Sequence, residues 1–491
     1  MSDVPALSSL STPYDSKAKT LAIILAAGHG KRIKSDKSKM LHEIWGIPTV
    51  ERVHLALAKG LPKCNSLVVV GVKAQEVASA VGTKKNTRYV WQQEQNGTGH
   101  AVQVALQEKT PRSTEHCYVL PGDMGLLNAD EIRSFHKAFL RSDCDMMVLT
   151  GVYSGDPAEN YYGRIVRAKP MTYDGAKSKY AGMVIEIKEH KDILAIKKEY
   201  CVDYRDESFC FTRDELLSIP EFNSSVYGFK MKPLRAHIDR IGSDNAQGEI
   251  YLTDLITMFN QSNLRVGARP ASDTNVVLGF NNKSVLKEMD TFARHRTYEQ
   301  LKDIVTFDHP GHFFLADPVV DQIIRLDKAG KPLDIVIGEG AHVGPEVKIN
   351  AGLRLGRNAT VRGQVKFGKN VSVGEGSTLN TYRGQIMILN DNVEIMVGDQ
   401  LNGNITIGLD TCIEGGVRIT GSDEHPVTIG SHVRIQGSTY IYGCVIEEGV
   451  HMEHCFIKQK RIRAAQREDG SIQSVRFYRP LPEGMDSVVT L

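Results

Sequence analysis

The chain has almost no excess of either charge: 60 Lys and Arg stand against 58 Asp and Glu, a formal net charge of +2 over 491 residues. No electrostatic footprint for nucleic acid exists, and no such partner is expected. The sequence also lacks any run near the roughly 18 apolar residues that a spanning helix needs, and no apolar h-region follows its start, so no membrane partner is expected. Its eight cysteines form no Cys-x-x-Cys pair and sit among apolar neighbours. Reduced thiols, a cytoplasmic setting and no structural disulfide are the expectation. What is present is ordinary for a globular protein, 41% hydrophobic and 24% charged residues, in a chain too long for one core. Two domains follow.

Residues 1–19, rich in Ser, Thr, Pro and Asp, read as a flexible leader. Over 20–275, short apolar runs (Leu21 to Ala26, Leu67 to Val70, Cys117 to Leu120, Met146 to Leu149) alternate with helical patterns. Runs that are apolar throughout are what strands covered on both faces look like, so this region is expected to be a doubly wound, Rossmann-like α/β domain with a mainly parallel sheet. Its ligand crevice should lie at the carboxyl ends of the strands. Residues 276–332 read as a connection containing an amphipathic helix from Ser284 to Leu301. Over 333–457 an aliphatic residue or Phe recurs at every sixth place, from Ile337, Val343 and Ile349 onward; the phase slips after Leu379 and again after Ile419. Such a period fits a left-handed parallel β-helix of hexapeptide repeats. Residues 458–491 form a basic tail.

The segment Leu25-Ala26-Ala27-Gly28-His29-Gly30-Lys31-Arg32 follows the first strand directly. Glycines let a backbone close on a triphosphate and aim its N–H groups at the oxygens, while Arg32 offers a forked donor and Lys39 a point charge. Asp123, after the apolar run ending at Leu120, offers a hard oxygen for a cation.

The stretch LAAGHGKRIKSDKSKMLHEIWGIP resembles the signature of the sugar-1-phosphate nucleotidyltransferases, most of all the bifunctional bacterial N-acetylglucosamine-1-phosphate uridyltransferases. It departs from that signature at Lys31, Ile33 and Ser38, where the family has Thr, Met and Pro. Further segments match in the family's order: Gln92 to Ala101, Leu120 to Asp123, Tyr162 to Arg167, Ile187 to Asp192, Asn223 to Tyr227 and Asn245 to Asp254. The resemblance implies Mg²⁺-dependent joining of UTP to N-acetylglucosamine 1-phosphate. By it, Arg32 and Lys39 are catalytic, and Leu25, Ala26, Ala27, Gly28, Gly30, Gln92, Gly97 and Thr98 bind the nucleotide. Gly163, Glu189 and Asn223 bind the sugar, and Asp123 and Asn245 hold the metal. A homotrimer assembled through the β-helix is implied as well. The family's acetyltransferase motifs are not found after residue 333, so the main reading is a single activity; the alternatives are a bifunctional enzyme that also acetylates glucosamine 1-phosphate with acetyl-CoA, a silent β-helix scaffold, and a nucleotidyltransferase for another nucleotide and sugar.

Overall fold

The apolar runs form strands because each has a helix layer to cover both of its faces. In the computed structural model, which describes residues 6–28, 30–243 and 248–477, strands β1 (Thr20–Ala26), β2 (Asn65–Val70), β3 (Thr87–Trp91), β4 (His116–Pro121), β5 (Met146–Val152), β6 (Arg164–Arg167) and β7 (Val184–Lys188) are followed by a hairpin, β8 (Tyr200–Tyr204) and β9 (Glu207–Phe211), and then by β10 (Glu221–Lys230) and β11 (Val266–Pro270). Among the described residues the main sheet runs β11-β5-β10-β4-β1-β2-β3, with β6 joining β10 to β7. β1, β2, β3 and β4 are mutually parallel, as are β5 and β11. β10 lies antiparallel between β4 and β5. Alternate residues feed two cores: Leu21, Ile23, Leu67 and Val69 on one face, Ala22, Ile24, Val68 and Val70 on the other. The doubly wound, mainly parallel sheet is thus as the sequence indicates.

Three expectations are corrected. Residues 6–19 are not a loose leader: Leu7 is buried in a sheet core, and Thr12 bonds through its N–H to Thr87 O and through its hydroxyl to Lys84 O, each at 2.7 Å. A polar segment with one well-placed Leu can dock where backbone acceptors are exposed, which composition does not reveal. Second, Cys201 and Cys210 are disulfide-bonded. They lie directly opposite each other in the β8–β9 hairpin, a register that nine residues of separation do not announce. Third, the chain divides into two compact units at Asp290/Thr291, inside the helix Lys283–Leu301, so residues 276–290 belong to the first unit; Val276 and Val277 are part of its core.

The second unit is a β-helix of three parallel sheets. Its first coil uses Thr306–Phe307 and Phe314–Leu315, ahead of the expected start at 333, and its last strand in the third sheet is Arg461–Ile462, past the expected end at 457. Leu355, Val373, Ile395, Ile413 and Ile435 stack in register up one face, each no more than 1% exposed. The two phase slips are short excursions near Tyr382 and Asp423, tied together by Gln385 Nε2 donating to Asp423 Oδ1 at 2.9 Å. One corner of the coil requires the left-handed conformation in successive turns, supplied by Gly352, Asn370, Asn392, Asp410 and His432. Polar residues tolerate it better than branched ones, which is why the corners are not all glycine.

Asp399 is wholly buried in this unit; Oδ1 accepts the Val417 N–H at 2.8 Å, and Oδ2 has no partner among the described residues. Burial pushes its carboxyl up to about 6. A folded value above the unfolded one means that ionisation opposes folding. The opposition is absent below the unfolded value and complete above about 6. Asp399→Asn is therefore expected to raise stability at pH 7.5, on the order of 2 kcal/mol, and to do little at pH 4. Calorimetric melting of both proteins from pH 4 to 8 checks this; a difference that does not grow with pH refutes it.

Candidate active site

The carboxyl ends of adjacent strands β1 and β4 bring the glycine loop and Asp123 together. Leu25 pairs with Pro121, and Gly122 N donates to Leu25 O at 2.9 Å. Gly28 has open space where a Cβ would stand, leaving its backbone accessible. Gly30 is left-handed (φ 62°), and a Cβ there would lie 2.7 Å from Lys39 Cβ, so the loop can fold back onto Lys39 only with glycine at this place. Ser38 adopts φ −55°, the value a proline would impose, and is followed by buried Met40 and Leu41. The loop keeps its course without the proline because those two side chains anchor it. Arg32 is exposed, with no ion-pair partner among the described residues.

Lys39 Nζ donates to Asp123 Oδ2 at 2.5 Å and to Asn281 Oδ1 at 3.2 Å, and stands 5.2 Å from the centre of the Phe280 ring. Two oxygens thus converge on one cation in a largely shielded place. Gly279, beside Asn281, lets Asp123 approach: a Cβ there would lie 3.2 Å from Asp123 Oδ2. Asn281 was not a sequence candidate. Its signal was slight, an Asn-Asn pair between the apolar run ending at Phe280 and a helix start. Asn245 lies outside the described residues. The described remainder of its motif runs along the expected nucleotide segment: Ile250 N donates to Asn96 O, Gly99 N to Ile250 O (both 2.8 Å), and Leu252 N to the Thr98 hydroxyl at 3.2 Å. Gly97 (φ 109°) makes this zipper possible, since a Cβ would stand 2.5 Å from Ile250 O. Gln92, at the end of β3, is buried; its Nε2 reaches Gly97 O at 3.4 Å and His100 Nδ1 at 3.1 Å. It braces the turn.

The expected sugar residues also come together. Asn223 N donates to Gly163 O at 2.8 Å, and the Glu189 carboxylate lies so close over Gly163 that a Cβ there would be 3.1 Å from both of its oxygens. Asn223 exchanges hydrogen bonds with the buried Tyr227 hydroxyl. Fully buried Arg164 donates to the carbonyls of Asn160 and Tyr162, fixing the turn before Gly163. Tyr162 joins the two ends of the site: its ring stacks on Phe222 at 4.5 Å and its hydroxyl reaches Gly279 O at 3.4 Å. Burial, then the nearby Asp123 carboxylate, push that hydroxyl up to about 12, so it serves as a neutral donor.

Burial, reinforced by Asp192 and Asp254, pushes the Glu189 carboxyl up to about 7. The group is charged above that value and neutral below it. If the carboxylate receives a substrate hydroxyl or amide, kcat/KM for the sugar substrate should fall about tenfold for each pH unit below 7, and Glu189→Gln should lose that inflection. A pH profile of both enzymes checks this; an identical inflection in the variant refutes it.

A glycine loop at a strand end, converging oxygens for a cation, two basic side chains and a cluster of hydrogen-bonding groups around Gly163 suit transfer of a nucleotidyl group. A family profile described as MobA-like NTP transferase domain matches residues 22–183. The chain is 31% identical over 495 residues to the bifunctional protein GlmU of Heliobacterium modesticaldum, covering 92% of this chain and 99% of that one. It is 30% identical over 469 residues to the bifunctional protein GlmU of Streptomyces griseus, covering 87% of each. For the Streptococcus agalactiae protein of the same name, identity is 29% over 420 residues, covering 85% of this chain and 76% of the relative.

Proposed function

Because the chain belongs to the GlmU family of nucleotidyltransferases, we propose that its first unit is a UDP-N-acetylglucosamine pyrophosphorylase, joining UTP to N-acetylglucosamine 1-phosphate with release of pyrophosphate. The observation that carries this reading is the convergence of Asp123 Oδ2 and Asn281 Oδ1 on one cation, the Lys39 ammonium, at the mouth of the parallel sheet. A donor set of one carboxylate and one amide oxygen suits a hard divalent ion that keeps phosphate oxygens and water as its other ligands. Asp123 and Asn281 would hold Mg²⁺, which when bound supplies charge neutralisation on the triphosphate.

This chain's residues do the rest. Leu25 to Gly28 and Gly30 offer backbone N–H groups to the phosphates, with Arg32 and Lys39 balancing charge on the departing pyrophosphate. Gln92 holds the Gly97 turn against which the base rests, and Thr98 closes it. Gly163, Glu189 and Asn223 seat the sugar so that its phosphate oxygen attacks the α-phosphorus in line, with no covalent enzyme intermediate. No helix among the described residues is long and apolar enough to cross a membrane. The enzyme acts in the cytoplasm as a trimer built on its β-helix.

A coupled pyrophosphate assay with UTP, Mg²⁺ and N-acetylglucosamine 1-phosphate tests the reading; turnover with another nucleotide and sugar pair but not with this one would overturn the substrate assignment. The relatives are called bifunctional, which favours a second reading in which the β-helix also carries an activity. Free thiol released from acetyl-CoA in the presence of glucosamine 1-phosphate decides it.

A further inference from the structure

We propose that the Cys201–Cys210 bond is a reversible redox latch on the lobe that carries Glu189, so that reduction weakens sugar-phosphate binding; this rests on the sugar-side reading above.

The other six cysteines are free, and this pair alone is bonded. The β8–β9 hairpin pairs with no third strand among the described residues. Two-stranded hairpins are marginal unless something else holds them. Here a small core does, in which Tyr204, Phe209 and Phe211 pack with Val166, Ile185 and Ile193, together with bonds at the hairpin's turn end, Tyr173 N to Ser208 O at 2.8 Å and Ser178 Oγ to Glu207 Oε2 at 2.6 Å, and the disulfide across the register near its open end. The hairpin is coupled to the Glu189 segment through Tyr200, the residue before Cys201. Its hydroxyl donates to Glu186 Oε2 at 2.6 Å, and Lys188 Nζ stands 4.1 Å from its ring centre. Glu186 and Lys188 belong to β7, which ends one residue before Glu189; Ile193, in the helix that follows (His190–Ala195), packs in the hairpin's own core. Loosening the hairpin therefore loosens both flanks of Glu189. The nucleotide side stands on β1, β3 and β4, none of which pairs with the hairpin or with β7, and should respond much less.

The chemistry balances with a dithiol as reductant. Its thiolate attacks the exposed Cys201 sulfur, the S–S bond breaks, and Cys210, which is 9% exposed, leaves as a thiolate and takes a proton. The reductant's second thiol then attacks its own bound sulfur, expelling Cys201 as a thiol and closing the reductant's disulfide. Two electrons and two protons pass to the protein.

The test compares the full chain, air-oxidised or reduced with dithiothreitol and freed of reductant anaerobically. The oxidised protein should titrate six thiols and the reduced one eight. On reduction, amide exchange should quicken over Val184–Ala195, KM for N-acetylglucosamine 1-phosphate should rise about fivefold, and KM for UTP should stay within about twofold. The C201S/C210S double variant should show the reduced values with or without dithiothreitol. Eight thiols in the air-oxidised protein, or unchanged exchange over Val184–Ala195 once eight thiols are exposed, would overturn the latch. An unchanged sugar KM in an active enzyme would do so as well. If neither form turns over this substrate pair, the substrate reading fails, and the exchange measurement still decides the latch.

Discussion

Asp123→Ala is expected to lower kcat/KM for nucleotidyl transfer by about 10³, roughly 4 kcal/mol of transition-state stabilisation. The side chain is the only carboxylate that contacts Lys39 among the described ion pairs, at 2.5 Å, and it stands where β4 meets β1 at the crevice. Removing it takes away the single negative charge that would draw a divalent ion between the strand ends, and it leaves Lys39 without its counter-charge. The loss should fall on kcat more than on KM for UTP, because Arg32, Lys39 and the glycine loop still bind phosphates. Stability should fall as well, since the pair is largely shielded, with side chains 13% and 17% exposed, and Lys39 loses its counter-charge. Asp123→Asn keeps an oxygen donor without the charge and should fall between the two. Steady-state pyrophosphate release across a Mg²⁺ titration, with a melting curve for each variant, is the measurement. Activity within fivefold of wild type at saturating Mg²⁺ would remove the foundation of the site.

The second large effect is expected at a residue that the sequence motifs passed over. Asn281→Ala should cost about 10² in kcat/KM and raise the Mg²⁺ concentration needed for half-maximal rate, whereas Asn281→Asp should retain much of the activity because it keeps an oxygen at the same place. The reason is positional: Asn281 Oδ1 and Asp123 Oδ2 share one Lys39 ammonium. Asn245→Ala tests the alternative in the same assay. Its motif continues along Asn96 to Gly99, so the expected loss is smaller and weighted toward KM for UTP. If Asn245→Ala shifted the Mg²⁺ dependence and Asn281→Ala did not, the roles would be reversed.

Local chemistry made much of this protein readable in one dimension. A run such as Leu21 to Ala26 can be apolar on both faces only if both faces are covered, so the layered α/β sheet follows from the pattern itself. The six-residue period likewise specifies a coil with one inward side chain per flat face, and even its two slips mark where the coil bulges outward. The glycine requirement at Gly30 was visible as well, in a glycine loop placed directly after a strand, whereas the close approach of Ile250 O to Gly97 appears only in the structure.

Tertiary structure decided everything that depends on which distant segments meet. Asn281 lies 242 residues from Lys39 and reaches it only because the end of the first unit returns to the strand ends. The disulfide needed a hairpin register, the docking of residues 6–19 needed exposed acceptors on a strand far along the chain, and the raised Glu189 carboxyl needed burial first and then Asp254 brought near in space. Sequence by itself determines the periodicity of burial and the permissible backbone conformations, which are properties of neighbours. Charge, metal affinity and redox state depend on distances between groups that only the closed chain sets.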